Sequence, residues 1–323
     1  MTRRWDSLPT DLAHCILDVA VPYCGPSLAV ASRDIHDYVT RLLYRRVALR
    51  SLTQLSLFLQ EESGAFKHGR LVRSFSVHIP GVPGGGAIPS YARERLLENV
   101  ARALVACSAS VRVIEFSFYS TAFSRPFATE IAPAAVQATQ QLSSAIGACT
   151  TLESFTWKPP DSVHVVRGLS IAIVDQLVPA IVEAVRLLSP HNRLRRLELH
   201  NVKFMEYTGL DRQRSDCAVE ERGRSTDLAH AITLCHSIEI LVISSAVNLS
   251  HAAVAMVLHS RFITVEISDG FAESLWGPRL SAAGVSDALT LTGTCDEADV
   301  TVALSKLKIH VRAGPVDGIM SFA

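Results

Sequence analysis

The stretch Leu194-Arg-Arg-Leu197-Glu-Leu199-His200-Asn201 carries apolar residues at its first, fourth and sixth positions. The last two apolar positions alternate with polar ones, which is typical of a strand buried on one face. The same apolar spacing recurs at Val72/Phe75/Val77, Val111/Ile114/Phe116, Leu152/Phe155/Trp157, Ile238/Leu241/Ile243, Phe262/Val265/Ile267 and Leu304/Leu307/Ile309. Successive motifs start mostly about forty residues apart, and such a period is typical of stacked-repeat architectures.

Segments with helical spacing of apolar residues lie between these motifs. They predict helices near residues 52–62, 96–105, 134–148, 173–188, 227–235, 250–259 and 281–289. Strand and helix in regular alternation predict an α/β fold with a parallel sheet and helices on one face. We therefore expect an irregular leucine-rich-repeat-like solenoid over residues 51–323, because the period exceeds the roughly 20–29 residues of regular leucine-rich repeats.

A doubly wound open sheet is the alternative fold. Strands of such a sheet are covered on both faces and are nearly continuous in apolar residues. In this chain the positions between the apolar ones are mostly polar, as Arg196, Glu198 and His200 illustrate, although Ile240 and Val242 are exceptions. The solenoid is therefore the favoured interpretation.

Composition excludes several functional classes. Of the 323 residues 48% are hydrophobic and 19% charged, and the formal net charge is zero, so we expect no nucleic-acid partner. The sequence has no run of about 18 apolar residues, so we expect no membrane span. The seven cysteines form no C-x-x-C pair, which indicates free thiols in the cytoplasm or nucleus rather than a disulfide framework or a zinc site. We expect no metal and no cofactor.

The first fifty residues form a separate predicted module. Apolar residues recur every four positions at Leu8, Leu12 and Ile16, so they share one face of a predicted helix. Pro9 is compatible with this helix because proline is tolerated in the first turn. Pro22, together with Gly25 and Pro26, predicts the end of that helix. Two further helices are expected at about residues 27–38 and 39–49, and so small a unit needs a neighbour or a partner for stability.

This module resembles an F-box, the adaptor-binding module of cullin-based ubiquitin ligases. Leu8-Pro9-x-Asp11-Leu12-x-x-x-Ile16-Leu17 is similar to the opening helix of the family. Ser32-Arg33-x-Ile35 stands where the family has V-S-K-x-W, so isoleucine replaces the tryptophan. Leu42-Leu43-Tyr44-Arg45-Arg46-Val47-x-Leu49 resembles the tail common in the F-box proteins of mushroom-type fungi, which often carry irregular leucine-rich-repeat-like bodies.

The resemblance implies a function and a set of contacts. The chain would be a non-catalytic substrate receptor, in which the module binds a Skp-type adaptor, and through it the cullin ligase, while residues 51–323 bind a target protein. The adaptor contacts that the resemblance implies are Leu8, Pro9, Leu12, Ile16, Leu17 and Ile35. The alternative role for these side chains is the core of the module itself.

Enzymatic motifs are not found in the sequence. It contains no G-x-S-x-G, no G-x-G-x-x-G after a strand, no H-E-x-x-H and no Walker pattern. A repeat-type scaffold that does not associate with a ligase is the first alternative function. An α/β enzyme whose site is built from residues far apart in the sequence is the second.

The third, fifth and seventh positions of each motif point away from the helices in a parallel sheet. We therefore predict a target-binding face composed of Thr156, Lys158, Arg196, Glu198, His200, Ile240, Val242 and Ser244. Arginine is enriched in protein interfaces, and stacked repeats commonly bind partners through such a face. The alternative is that a loop or the carboxyl end covers Ile240 and Val242. Residues 206–226 are polar and lack periodicity, so we expect a long exposed loop there.

Overall fold

The computed structural model describes residues 9–60, 66–79, 90–118, 133–158, 178–200, 228–244, 249, 251–259, 263–269, 280–291 and 297–311. Within these ranges the chain forms ten α-helices and eight strands. The strands are β1 (Arg46–Leu49), β2 (Ser74–Ile79), β3 (Val113–Phe118), β4 (Ser154–Trp157), β5 (Arg196–His200), β6 (Ile240–Ser244), β7 (Thr264–Asp269) and β8 (Leu307–Val311). The helices are α1 (Thr10–Ala29), α2 (Arg33–Arg45), α3 (Leu52–Leu59), α4 (Ser90–Cys107), α5 (Pro133–Gly147), α6 (Val178–Leu188), α7 (Leu228–Leu234), α8 (His251–His259), α9 (Ala282–Leu291) and α10 (Glu297–Ser305).

The eight strands form one parallel sheet whose spatial order is the order of the sequence, from β1 to β8. The predicted α/β class and parallel sheet are confirmed. A doubly wound sheet reverses its strand order at a switch point, and this sheet has no such reversal among its described strands. Residues 173–177 of a predicted helix and the predicted loop 206–226 lie outside the described residues.

The two faces of the sheet differ in burial. In β5, Leu197 and Leu199 are fully buried, whereas Arg196, Glu198 and His200 are half-buried. The same alternation holds in β4 and β6. One face of the sheet is therefore apolar and covered, and we call the other the open face.

The main core lies between the apolar face of the sheet and the helices. Phe155 of β4 meets Phe116 of β3 edge to face, with ring centroids 5.9 Å apart, a favoured geometry for aromatic pairs. Ile146 of α5 and Val185 of α6 belong to the same cluster. Each such buried side chain contributes about 1.5–3 kcal/mol. Helices α4 to α9 contact one another in sequence order, so the core continues along the sheet.

Hydroxyl side chains that lie a few residues before a strand bond to the segment before the neighbouring strand. In three places a serine or threonine donates its hydroxyl to a main-chain carbonyl at the start of the preceding motif, about forty residues earlier. The pairs, with their O···O distances, are Ser110–Val72 at 2.9 Å, Thr151–Val111 at 2.8 Å and Ser237–Leu194 at 2.9 Å. These bonds satisfy carbonyls outside the sheet ladder and thereby fix the stacking of adjacent motifs.

The first fifty residues differ from the sequence prediction of three helices. Helix α1 continues through Pro22 and Pro26, with a kink at Cys24, whose φ of −139° is not helical. Helix α2 extends to Arg45 and is capped by Ser32, whose hydroxyl accepts a hydrogen bond from the backbone N–H of Ile35. The predicted third helix is thus absent.

Strand β1 occupies the end of that predicted third helix. It pairs with β2 in parallel, and Leu49 points into the main core with 6% of its surface exposed. The backbone N–H of Arg73 also donates to the carbonyl of Arg45 at 2.9 Å. The sheet therefore begins directly after α2, because pairing with β2 provides hydrogen bonds that a short terminal helix lacks.

Candidate functional site

Helix α1 is apolar on two opposite sides. Leu17 and Val21 are buried against α2, where they form a small core with Val39. At 3.6 residues per turn, the opposite side carries Leu12, Ile16, Val19 and Tyr23, of which 53%, 46%, 70% and 88% of the surface is exposed. We call these four residues the outer stripe. The second side is not used by the core, so it is free to contact another molecule.

The residues implied as adaptor contacts are divided between these environments. Leu12 and Ile16 belong to the outer stripe, and Pro9 is exposed at the N-cap of α1. Leu17 is 3% exposed and lies in the small core, so its side chain is a core residue in this structure. Ile35 is half-buried and packs against the same core, and Leu8 lies outside the described residues.

Two members of the outer stripe, Val19 and Tyr23, were not predicted from the sequence. They follow Leu12 at seven and eleven residues, which is helical spacing for one face. The signal was present for both residues: Val19 lies inside the predicted helix, whereas the helix end predicted at Pro22 excluded Tyr23. In the structure the helix continues past Pro22 before it kinks at Cys24, so all four side chains lie on one side.

Helix α1 is the one described helix that is long and apolar enough, by length and composition alone, to cross a membrane. Core helices of soluble proteins and signal sequences meet the same criterion. The side of α1 that faces α2 also carries Asp18, whose carboxylate accepts a hydrogen bond from the Tyr38 hydroxyl at 2.8 Å. Because those other helices pass the same test, length and composition by themselves assign no membrane role to α1.

The predicted target-binding residues lie side by side on the open face. Thr156 of β4 is in register with Glu198 of β5, and Glu198 is in register with Val242 of β6. Arg196 faces Ile240 and His200 faces Ser244 across the same pair of strands. Lys158 follows β4 and is exposed. Neighbouring strands are about 4.8 Å apart, so the strand residues form one continuous patch.

Glu198 is the centre of a charged network on this patch. Its carboxylate accepts a hydrogen bond from Nη2 of Arg196 at 3.0 Å and lies 2.7 Å from Nε2 of His200. Partial burial by itself raises the pKa of Glu198, but the hydrogen bonds and charges of His200 and Arg196 outweigh burial. The net result is a lowered pKa, so the carboxylate is ionised at neutral pH.

The network continues onto two strands that the sequence prediction left out. Glu266 of β7 is in register with Val242 on one side and with Lys308 of β8 on the other. The ammonium of Lys308 lies 2.9 Å from the carboxylate of Glu266 and lowers its pKa, with smaller contributions from Arg196 and His310. The sequence contained a signal for both residues. Glu266 and Lys308 occupy the fifth position of their motifs, as Glu198 does, and therefore lie in the same register row of the sheet.

Metal-ligand clusters and reactive thiols were sought among the residues that the structure describes. There, no three histidine, cysteine, aspartate or glutamate side chains converge to hold a metal ion. Burial raises the pKa of the Cys107 and Cys149 thiols to about 12 and also raises the pKa of Cys235. Thiols in this state are poor nucleophiles, so these cysteines are structural.

A scan against known protein families finds no family that matches this chain. A search of curated proteins likewise finds no matching relative. The outer stripe of α1 and the open face of β4 to β8 are therefore the two surfaces from which we infer a function.

Proposed function

We propose that this chain is a substrate-receptor subunit of a cullin-based ubiquitin ligase. In this proposal the outer stripe of α1 binds a Skp-type adaptor, and the open face binds the target protein. Ubiquitin transfer would be carried out by the partner subunits, and the chain itself would be non-catalytic. The observation that carries the proposal is the exposed apolar stripe on the helix that resembles the opening helix of an F-box.

The exposure of the stripe matters because a helix normally turns its apolar side inward. Full burial of a leucine or isoleucine contributes about 1.5–3 kcal/mol, and about half of Leu12 and Ile16 is already covered within the chain. Burial in an adaptor would therefore add about 1 kcal/mol for each of these two residues. An amphipathic helix laid into an apolar groove is an established recognition mode, and the stripe has the required spacing.

We also propose that the sheet and its helices form an irregular leucine-rich-repeat-like solenoid. Support comes from the sequential strand order, from helix-to-helix contacts that follow the sequence, and from the serine and threonine bonds that recur between motifs. In stacked repeats each unit contacts only its neighbours, and one extended face remains free for a partner.

Co-expression of the full chain with a Skp-type adaptor tests the proposal. We expect the two proteins to co-purify, and we expect Leu12→Asp to reduce the recovered adaptor at least tenfold, because a charge would enter an apolar contact. Leu57→Asp is the matched control, since Leu57 lies on α3 with 50% of its surface exposed, against 53% for Leu12. Circular dichroism establishes that both variants are folded.

A wild-type chain that fails to co-purify with the adaptor would contradict the proposal. It would favour the second candidate, a repeat-type binding scaffold without a ligase. The specific observation behind this candidate is that Leu17 and Ile35 pack within the chain, which leaves fewer of the implied contacts for an adaptor. Equal loss of adaptor in Leu12→Asp and Leu57→Asp would also contradict the assignment of the outer stripe.

A further inference from the structure

On β6 the open face carries two apolar side chains that are flanked by charged residues. Ile240 and Val242 occupy consecutive open-face positions of β6 and are both half-buried. Arg196 and Glu198 flank them on β5, and Glu266 flanks them on β7. Among the described strands, β6 is the one with two consecutive branched aliphatic residues on this face. An apolar side chain of a partner therefore has a defined place to bind.

The charges around this apolar pair are unequally satisfied. Glu198 is bonded to Arg196 and His200, and Glu266 is bonded to Lys308, so both carboxylates already have cationic partners. Lys158 lies at the same face with no ion pair among the residues that the structure describes. Both glutamates are thus paired, while Lys158 is a cation without a carboxylate partner among the described residues, so a partner's carboxylate is the complementary group.

Arg196 is the best placed of these cations. One of its nitrogens donates to Glu198, but a guanidinium carries five N–H groups in a planar fork. Donors therefore remain for a second carboxylate, and bidentate pairs of this kind are among the stronger hydrogen bonds. Arg196 is directly opposite Ile240, so a carboxylate bound here would lie about one strand spacing from an apolar group bound on Ile240.

We propose that the open face binds an extended segment of a target protein in which an aliphatic or aromatic residue stands close to an aspartate or glutamate. Alternate residues of an extended chain point to the same side about 6.6 Å apart, which suits an apolar residue and an acidic residue separated by one position. A nucleic-acid strand does not fit, because its regularly spaced phosphates would extend beyond Arg196 to the Glu198 and Glu266 carboxylates, whereas a single carboxylate can be bound at Arg196 alone. The inference rests on the proposed function and names the chemistry of its target.

The test is a selection from a random peptide library displayed on phage, with the immobilised full chain as bait. We expect the selected peptides to be enriched in an aliphatic or aromatic residue within two positions of an acidic one. Enrichment of basic peptides, or no enrichment over an empty support, would overturn the proposal.

Variants then locate the binding site by fluorescence anisotropy with one selected peptide. Ile240→Asp and Arg196→Glu should each weaken binding at least tenfold, and Ile240→Thr, a milder change suited to a strand, should weaken it about threefold. Val113→Asp is the matched apolar control, because Val113 is also exposed on the open face but lies on β3. Arg112→Glu is the matched charge control, since it reverses an exposed arginine that pairs with Glu153 at 3.3 Å, before β3 and β4.

The outcomes separate this inference from the adaptor proposal. Loss of peptide binding in the control variants as well as in Ile240→Thr and Arg196→Glu would place the peptide elsewhere and overturn the inference. Peptide binding that appears only after removal of residues 312–323 would mean that the chain occupies its own face, which also overturns it. Leu12→Asp should leave peptide binding unchanged, and Arg196→Glu should leave adaptor capture unchanged. Adaptor co-purification therefore tests the proposed function, and peptide binding tests the inference about the target, independently of each other.

Discussion

Replacement of Glu198 by glutamine tests whether the network on the open face is preorganised. The carboxylate accepts from Arg196 at 3.0 Å and pairs with His200 at 2.7 Å, and hydrogen bonds to charged groups contribute about 1.5–3 kcal/mol each. Glutamine keeps one acceptor oxygen and turns a donor toward the other partner. Since the Arg196 side chain is 42% exposed, solvent screens part of the loss, and we expect Glu198→Gln to lower the free energy of unfolding by about 1–2 kcal/mol.

The effect should depend on pH in a defined direction. The pKa of Glu198 is lowered in the folded chain, so its carboxylate stabilises the fold above the usual glutamate pKa of about 4.3. That contribution is lost as the pH falls through the lower folded value. The difference between wild type and Glu198→Gln should therefore be present at pH 6–7 and shrink as the pH falls below about 4.3.

Thermal unfolding followed by circular dichroism between pH 3 and pH 7 measures this difference. For a chain of 323 residues, a loss of 1–2 kcal/mol corresponds to a Tm about 1.5–3 °C lower at pH 7. Glu183→Gln is the control, because Glu183 of α6 lies 4.0 Å from Arg186 and is 51% exposed, and we expect no change above about 0.5 kcal/mol. An unchanged Tm for Glu198→Gln at pH 7, or a difference that is constant down to pH 3, would refute this account of the network.

Three further predictions concern the core. In the folded protein, iodoacetamide at pH 8 should alkylate the exposed Cys15 but not Cys107, because burial raises the pKa of Cys107 to about 12. Equal labelling of the two cysteines by mass spectrometry would contradict this. Ser110→Ala should cost about 1–2 kcal/mol in urea unfolding, because its buried hydroxyl donates to a main-chain carbonyl of the preceding motif; an unchanged midpoint would show that the bond does not hold the motifs together. Gly69→Ala should cost about 1–3 kcal/mol, since its new Cβ would lie 2.3 Å from the carbonyl oxygen of Ala106; wild-type stability in the same assay would contradict that close approach.

The strands from β2 to β8 could be predicted because apolar and polar residues alternate along them in the same way as buried and exposed positions do. Leu197 and Leu199 are fully buried while Glu198 is not, and this alternation is visible in the sequence as apolar and polar letters. The register rows follow from the same motif, because equal positions in successive motifs are paired. Glu266 could therefore have been placed beside Val242, and Lys308 beside Glu266, by extending the predicted face by two more strands.

Strand β1 could not be predicted in this way. The stretch Arg46–Leu49 follows a helix with no proline or glycine between them, so local preferences favour continuation of the helix. Its extended conformation depends on pairing with β2, a contact between residues about thirty positions apart. This strand lies before the predicted module boundary at residue 50, so sheet and helical module adjoin without a linker.

Helix α1 illustrates a second limit of the sequence. Its two sides are both apolar, and spacing alone does not tell which side meets α2. The resemblance to an F-box implies both Leu12 and Leu17 as adaptor contacts, whereas the structure exposes the first and buries the second. Only the position of α2, with Val39 in contact with Leu17 and Val21, decides which side is core.

Whether the chain is a substrate receptor can be measured by affinity purification of the tagged full chain from the cells that express it, followed by quantitative mass spectrometry. We expect a Skp-type adaptor and a cullin with the wild type and with Leu57→Asp, and loss of both with Leu12→Asp. We also expect Ile240→Asp to keep the adaptor and to lose other partners that the wild type retains. Recovery of the wild-type chain without an adaptor, or equal recovery of the adaptor with Leu12→Asp, would contradict the assignment of a substrate receptor.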